Sequence, residues 1–210
     1  FLVDTPQETL PVTVPIPGRF TVYNALGALA CCYDLGIPLA KAIQALEKVP
    51  PVKGRLEVVP VPAPYTVVID YAHTPDALEQ VLADARRVTQ GRLICLFGCG
   101  GDRDKTKRPV MGEIAASLSD LVILTSDNPR TEDPEAILDQ VAAGFPRGFA
   151  DYHRDPDRRA AIALALSLGR AGDVILLAGK GHETYQEIGK NRLPLDEREE
   201  IASFFQKSKV

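Results

Sequence analysis

The sequence predicts an α/β domain built on a doubly wound, mostly parallel sheet, preceded by a short helical remnant of another domain. Three observations predict it. From about residue 66 onward, near-continuous apolar runs alternate with amphipathic segments, the pattern of strands buried on both faces and joined by helices. Each apolar run ends in a loop of glycine, proline and charged residues, and open α/β sheets bind ligands beyond the carboxyl ends of their strands. By contrast, about the first fifty residues hold only two helix-like stretches, which cannot bury their apolar faces without something larger beside them.

The elements follow in order. "GRFTVYNALGALACCYDLG" (18–36) and "IPLAKAIQALEKV" (37–49) are expected helices separated by Gly36, Ile37 and Pro38, followed by "PPVKGRLEVVP". A boundary is expected between Pro50 and Lys53, so that residues 1–52 end one domain and 53–210 form a whole second one. Strands are expected at "TVVID" (66–70), "RLICLF" (92–97), "LVILT" (121–125) and "VILLA" (174–178). Between them, "TPDALEQVLADARRV" (74–88), "KRPVMGEIAASL" (107–118), "PEAILDQVAAGF" (134–145) and "DPDRRAAIALALSL" (155–168) have helical spacing. This β-α-β repetition is what makes the sheet doubly wound. The tail "LPLDEREEIASFFQK" predicts a short strand or turn and a last helix begun at Asp196.

With 210 residues the chain has room for one sizeable core, or one domain and a piece of another. Its net charge of −4 argues against a nucleic-acid partner held by phosphate neutralisation. No apolar run is long enough to span a membrane, and the first residues have neither a basic n-region nor an apolar h-region, so no membrane partner is expected. Cys31, Cys32, Cys95 and Cys99 form no paired C-x-x-C units; they are expected as small core residues of a cytoplasmic, reduced protein.

The loops at the strand ends are "DYAHTPD" (70–76), "GCGGDRDKTKRP" (98–109), "SDNPRTEDP" (126–134) and "GKGHETY" (179–185). Four such loops on one edge imply a common site. In "SDNPRTEDP" an acid, an amide, a rigid proline and a guanidinium are crowded together. Taken alone, Asn-Pro opens a turn, Asp127 or Thr131 could cap a helix, and Arg130 could be solvated. Neither "GCGGDRDK" nor "AGKGHET" has the spacing of a phosphate-cradling loop. No Ser-His-Asp or Cys-His arrangement stands out, His153 sits in no motif and is expected on the surface, and three histidines do not suggest a metal site.

"GRFTVYNALGALA", "KGRLEVV", "DYAHTPDAL", "FGCGGDRDKTKRPVMG", "TSDNPRTEDP" and "AGKGHETYQ" closely resemble successive motifs of the Mur ligases. The last three resemble the branch that adds the third residue of the peptidoglycan stem peptide. The resemblance runs from about Gly18 to the end and implies the last helices of a central ATPase domain, followed by a complete Rossmann-like C-terminal domain. It implies an ATP-dependent ligase that phosphorylates the terminal carboxyl of a UDP-N-acetylmuramoyl dipeptide and lets an amine attack the acyl-phosphate, with Mg²⁺ and most ATP contacts in the part upstream. No catalytic residue is assigned within this chain.

By the same resemblance Asn24 would reach the adenine-ribose side of ATP, Arg55 the phosphates and Asp70 the ribose, with His73 holding its loop or approaching the nucleotide. Thr21 stands where the family commonly carries an asparagine. For meso-diaminopimelate, whose far end carries an ammonium and a carboxylate, Arg130 would clamp the carboxylate and Arg103 supply a second contact. Asp127 and Asn128 would hold the ammonium and orient the loop, joined by the Gly179 carbonyl and Glu183. A lysine-adding relative, a folylpolyglutamate synthetase-like ligase and a nucleotide-binding module without catalysis are the alternatives. The pairing of "DNPR" with "GKGHE" speaks against the folylpolyglutamate type, and binding of free diaminopimelate would speak against the module.

Overall fold

The computed structural model describes residues 1–207. The chain forms two compact units, Phe1–Val52 and a second from Lys53 onward. In the first, strands β1 (Leu2–Asp4) and β2 (Thr9–Pro11) pair antiparallel, followed by helices α1 (Arg19–Asp34) and α2 (Leu39–Leu46). Thr21, Ala25 and Leu29 recur every fourth residue and form the buried stripe of α1. Leu29 packs with Val12 and Ile43 in a small core. The stripe leaves Cys31 exposed and Cys32 half-buried, against the expectation of core cysteines. Thr21 turns its hydroxyl back to donate to the Pro17 carbonyl at 2.9 Å.

In the second unit six strands form one sheet: β3 (Glu57–Val59), β4 (Thr66–Asp70), β5 (Leu93–Phe97), β6 (Leu121–Leu124), β7 (Tyr152–Arg154) and β8 (Val174–Ala178). Their spatial order is β3-β4-β8-β5-β6-β7. Only the β3–β4 pairing is antiparallel, as the fold class predicts. The central strands β5 and β8 are buried at every residue, which is why they read as unbroken apolar runs. Edge strands β3 and β7 are three residues long and partly exposed, so they leave no such run.

Helices α3 (Pro75–Val88), α4 (Lys107–Leu118), α5 (Pro134–Ala142), α6 (Arg158–Leu168) and α7 (Glu197–Lys207) cover the sheet, and β9 (Tyr185–Ile188) and β10 (Asn191–Pro194) make a separate hairpin. Alternate strand residues Val67, Ile69, Ile94, Leu96, Ile123, Ile175 and Leu177 join Ala161, Ile162, Ala165 and Leu166 of α6 and Ile201 of α7 in one core layer. The other face meets α3 and α4. Three helix starts are set by side-chain caps. Thr74 accepts from Ala77 N, Asp133 from Glu135 N, and Asp157 from Arg159 N and Ala160 N. α6 therefore starts three residues later than the periodicity predicts, and α7 begins one residue past Asp196.

Candidate functional site

Because β4, β5, β6 and β8 run parallel, their carboxyl ends share one edge of the sheet. The four loops leaving that edge enclose a cavity of about 320 Å³. Tyr71 and His73 line it from the first loop, Gly100 and Arg103 from the second, Asp127, Asn128 and Arg130 from the third, and Gly179 and Glu183 from the fourth. All six residues expected to meet an amino acid thus reach one space. His73 joins them there; Arg55 and Asp70 lie outside its lining, and Asn24 sits exposed on α1 in the first unit.

The second and third loops touch through glycine. A Cβ on Gly98 would lie 2.0 Å from the Thr125 carbonyl oxygen and one on Gly101 1.9 Å from that of Pro129, so only hydrogen lets the two loops approach this closely. In the third loop Arg130 has φ 52°, a left-handed conformation costly for a residue with a Cβ. The hairpin holds it there. Arg130 N donates to Glu187 O at 3.0 Å, and Gly189 N donates to Arg130 O at 2.7 Å. The side chain is fixed as firmly: Nε lies 2.8 Å from Glu187 Oε2 and Nη1 donates to Gly101 O at 2.8 Å, leaving the side chain 22% exposed. Arg130 is not a solvated surface charge, and the cap of α5 is Asp133, not Asp127 or Thr131.

Asn128 is buried, and its Oδ1 accepts from both Lys180 Nζ and Glu187 N at 2.9 Å. Both lone pairs are used. What remains is Nδ2, which donates to Glu183 Oε2 at 3.0 Å; Asn128 therefore offers a donor, and the acceptors available to an ammonium are Asp127 and Glu183. Lys180 is fully buried and lies 3.0 Å from Glu183 and 3.8 Å from Asp127. The cavity thus sets Arg103 and Arg130 against Asp127 and Glu183.

Under the floor, two more arginines hold the loops. Arg158 is buried against Glu197 at 2.7 Å and donates to Ser126 O at 3.2 Å and Ala178 O at 3.0 Å, the carbonyls just before Asp127 and Gly179. Arg108, also buried, joins Gly100 O to Glu132 with contacts of 2.9–3.0 Å. The Arg108 guanidinium, reinforced by the Asp102 amide and Lys105, overcomes partial burial and holds the Glu132 carboxyl down at about 2, against an ordinary 4.5. A carboxylate depressed in the folded state contributes stability that is complete above about pH 4.5 and lost as pH falls towards about 2. Glu132→Gln is therefore expected to lower the urea midpoint at pH 7, and the gap to wild type should narrow steadily between pH 5 and roughly 2. An unchanged gap across that range would show that this pair does not carry the linkage.

Asp70 closes β4. Its carboxylate is buried and accepts from Leu56 N at 2.7 Å and Ala72 N at 2.8 Å, fastening the segment that carries Arg55 to the end of β4. Burial pushes its pKa up, only partly opposed by those two amides. Arg55 rests its guanidinium 5.0 Å from the centre of the Tyr71 ring, which also packs against His73 and His182. His73 Nδ1 lies 2.9 Å from Tyr71 O, so it braces its own loop. Among the described residues no group of three or more His, Cys, Asp or Glu side chains could hold a metal ion. The described residues therefore offer no closed carboxylate site for Mg²⁺.

Comparison with known proteins fits this geometry. The family model of the Mur ligase, glutamate ligase domain, matches residues 54–181, taking in three of the four loops whole and the start of the fourth. The chain belongs to the Mur ligase family. A UDP-N-acetylmuramoyl-L-alanyl-D-glutamate--2,6-diaminopimelate ligase of Clostridioides difficile is 49% identical over 93% of this chain and 40% of its own length. A ligase of the same name from Synechococcus elongatus is 49% identical over 94% and 40%. A solved structure with that name has a TM-score of 0.73 at 40% identity, covering 98% of this chain and 42% of its own. A pseudomurein peptide ligase from Methanothermus fervidus, with TM-score 0.69 at 22% identity over 86% and 37%, shares the fold. This Mur ligase chain spans about 40% of the length of the curated relatives it matches.

Residues the motifs did not single out complete the site. Lys180 lies inside "GKGHE", where a cation directly after a fully buried strand is a signal in itself. Glu187, Arg158 and Glu197 have no local signal, because these partners are 20 to 59 residues distant in sequence. Among the described residues no helix is long and apolar enough to cross a membrane.

Proposed function

We propose that this chain is the C-terminal part, residues 1–52 ending the central ATPase domain and 53–210 forming the amino-acid-binding domain, of a cytoplasmic ATP-dependent ligase. It adds meso-diaminopimelate to UDP-N-acetylmuramoyl-L-alanyl-D-glutamate in peptidoglycan synthesis. The observation that carries this is the mixed-sign cavity of about 320 Å³, whose lining brings together Arg103, Lys107 and Arg130 with Asp104, Asp127 and Glu183. The far end of diaminopimelate presents a carboxylate and an ammonium, and each finds its opposite. Arg130, with Nη2 uncommitted among the described residues, takes the carboxylate with Arg103; Asp127, Glu183 and the Gly179 carbonyl take the ammonium. Asn128 keeps the loop-orienting half of its expected role: its oxygen is already saturated, and its Nδ2 donates to Glu183 beside the ammonium site.

In the reaction ATP phosphorylates the terminal carboxyl of the dipeptide and the amine at the other end of diaminopimelate attacks the acyl-phosphate. The work of this chain is to deliver that amine in position. Asn24, Arg55 and His73 supply nucleotide contacts, with Asp70 acting through the Arg55 segment. The test is calorimetric titration of this chain with meso-diaminopimelate and with L-lysine. Binding of the former, at least tenfold tighter than the latter, is expected; equal affinities would remove the carboxylate clamp from the proposal.

A further inference from the structure

We propose that Lys180 is a positioning residue for substrate selection: its buried ammonium locks the two carboxylates and the amide that meet the ammonium end of the amino acid. The proposal rests on the substrate reading above. The Lys180 side chain has no exposed surface and is absent from the cavity wall, so it does not touch a ligand. It acts through three side chains that do line the cavity. Its Nζ donates to Asn128 Oδ1 at 2.9 Å and to Glu183 Oε2 at 3.0 Å, and it forms a longer ion pair with Asp127 Oδ1 at 3.8 Å.

Two carboxylates lining one partly buried space repel, and each would relieve the repulsion by turning away. A fixed cation behind them removes that choice. The same cation decides which way Asn128 points. With Oδ1 held by Lys180 and by Glu187 N, Nδ2 must face Glu183 and the cavity. Exchanging the two ends would set Nδ2 against the Lys180 ammonium and the Glu187 amide, donor against donor. Lys180 thus fixes both the placement of the carboxylates and the donor pattern of the site before substrate arrives, which is the condition for selective binding without reorganisation.

The experiment uses ¹⁵N-labelled chain, wild type and Lys180→Met. In wild type, a slowly exchanging lysine NH₃⁺ correlation is expected, and it should shift when meso-diaminopimelate is added. In Lys180→Met the Asn128 side-chain amide pair, identified by its loss in Asn128→Asp, should shift or broaden while backbone signals of the central strands persist, and the Kd for diaminopimelate should rise at least tenfold. An unmoved Asn128 amide pair in Lys180→Met, or undiminished affinity, overturns the proposal. Should Lys180→Met fail to fold, the wild-type measurement decides alone: a lysine NH₃⁺ signal that is absent or indifferent to ligand overturns it. If wild-type chain binds no diaminopimelate, the substrate reading fails, whereas the Asn128 amide still reports whether Lys180 sets the loop.

Discussion

Arg130→Ala is expected to lower kcat/KM for meso-diaminopimelate by about 10²-fold or more in the full-length ligase proposed above, with the KM for ATP nearly unchanged. Removing one partner of a desolvated charge pair costs on the order of 2–5 kcal/mol, and each 1.4 kcal/mol is about tenfold. Arg130 suits this role because Nε and Nη1 are engaged by Glu187 and Gly101, which aim the guanidinium. ATP should be insensitive because Arg55 and Asp70 lie on other loops. A substitution at φ 52° also changes backbone strain, so Arg130→Asn, which tolerates that conformation better, is the companion variant. Both should lose the preference for diaminopimelate over lysine. Wild-type efficiency and preference in either variant would return "SDNPRTEDP" to a turn with a surface arginine.

What the sequence disclosed, and what it hid, follows from where each interaction lies along the chain. The strands β4, β5, β6 and β8 were legible because burial on both faces leaves an apolar run that needs no partner to be seen. The hairpin of β1 and β2 and the edges β3 and β7 were not, since each is a three-residue piece whose strand character comes from its neighbour's hydrogen bonds. The loops were legible as one site because parallel strands force their ends together, and Arg103, Asp127, Asn128, Arg130, Gly179 and Glu183 do share one cavity. The use of each group was harder to read. Asn128 is an amide in a motif, but only the placement of Lys180 and Glu187 tells which of its ends faces the cavity. Asp70 is an acid at a strand end, yet the Leu56 and Ala72 amides occupy both its oxygens. Such assignments depend on partners that no local spacing encodes.

The buried Arg158–Glu197 pair has the largest expected effect on stability. Both side chains have no exposed surface, so truncating one leaves the other as an uncompensated charge in the core, at a cost of about 3–5 kcal/mol. Glu197→Ala is therefore expected to lower the Tm of the second unit by roughly 10 °C, taking about 2–4 °C per kcal/mol for a domain of this size. Replacing both charges together has a different outcome, since apolar side chains of similar volume avoid the desolvation of two ions. Arg158→Met with Glu197→Leu should recover most of the lost Tm. It should not recover ligand binding. Among the described residues Arg158 alone joins the Ser126 and Ala178 carbonyls, the last backbone groups before Asp127 and Gly179, and a methionine cannot donate to either. Thermal unfolding of the three proteins, with diaminopimelate titrations beside it, separates the two functions of the pair. A double variant with restored Tm and wild-type affinity would make the pair structural alone, and one as unstable as Glu197→Ala would mean that the arginine's bonds to the two strand ends, more than its charge balance, hold the fold together.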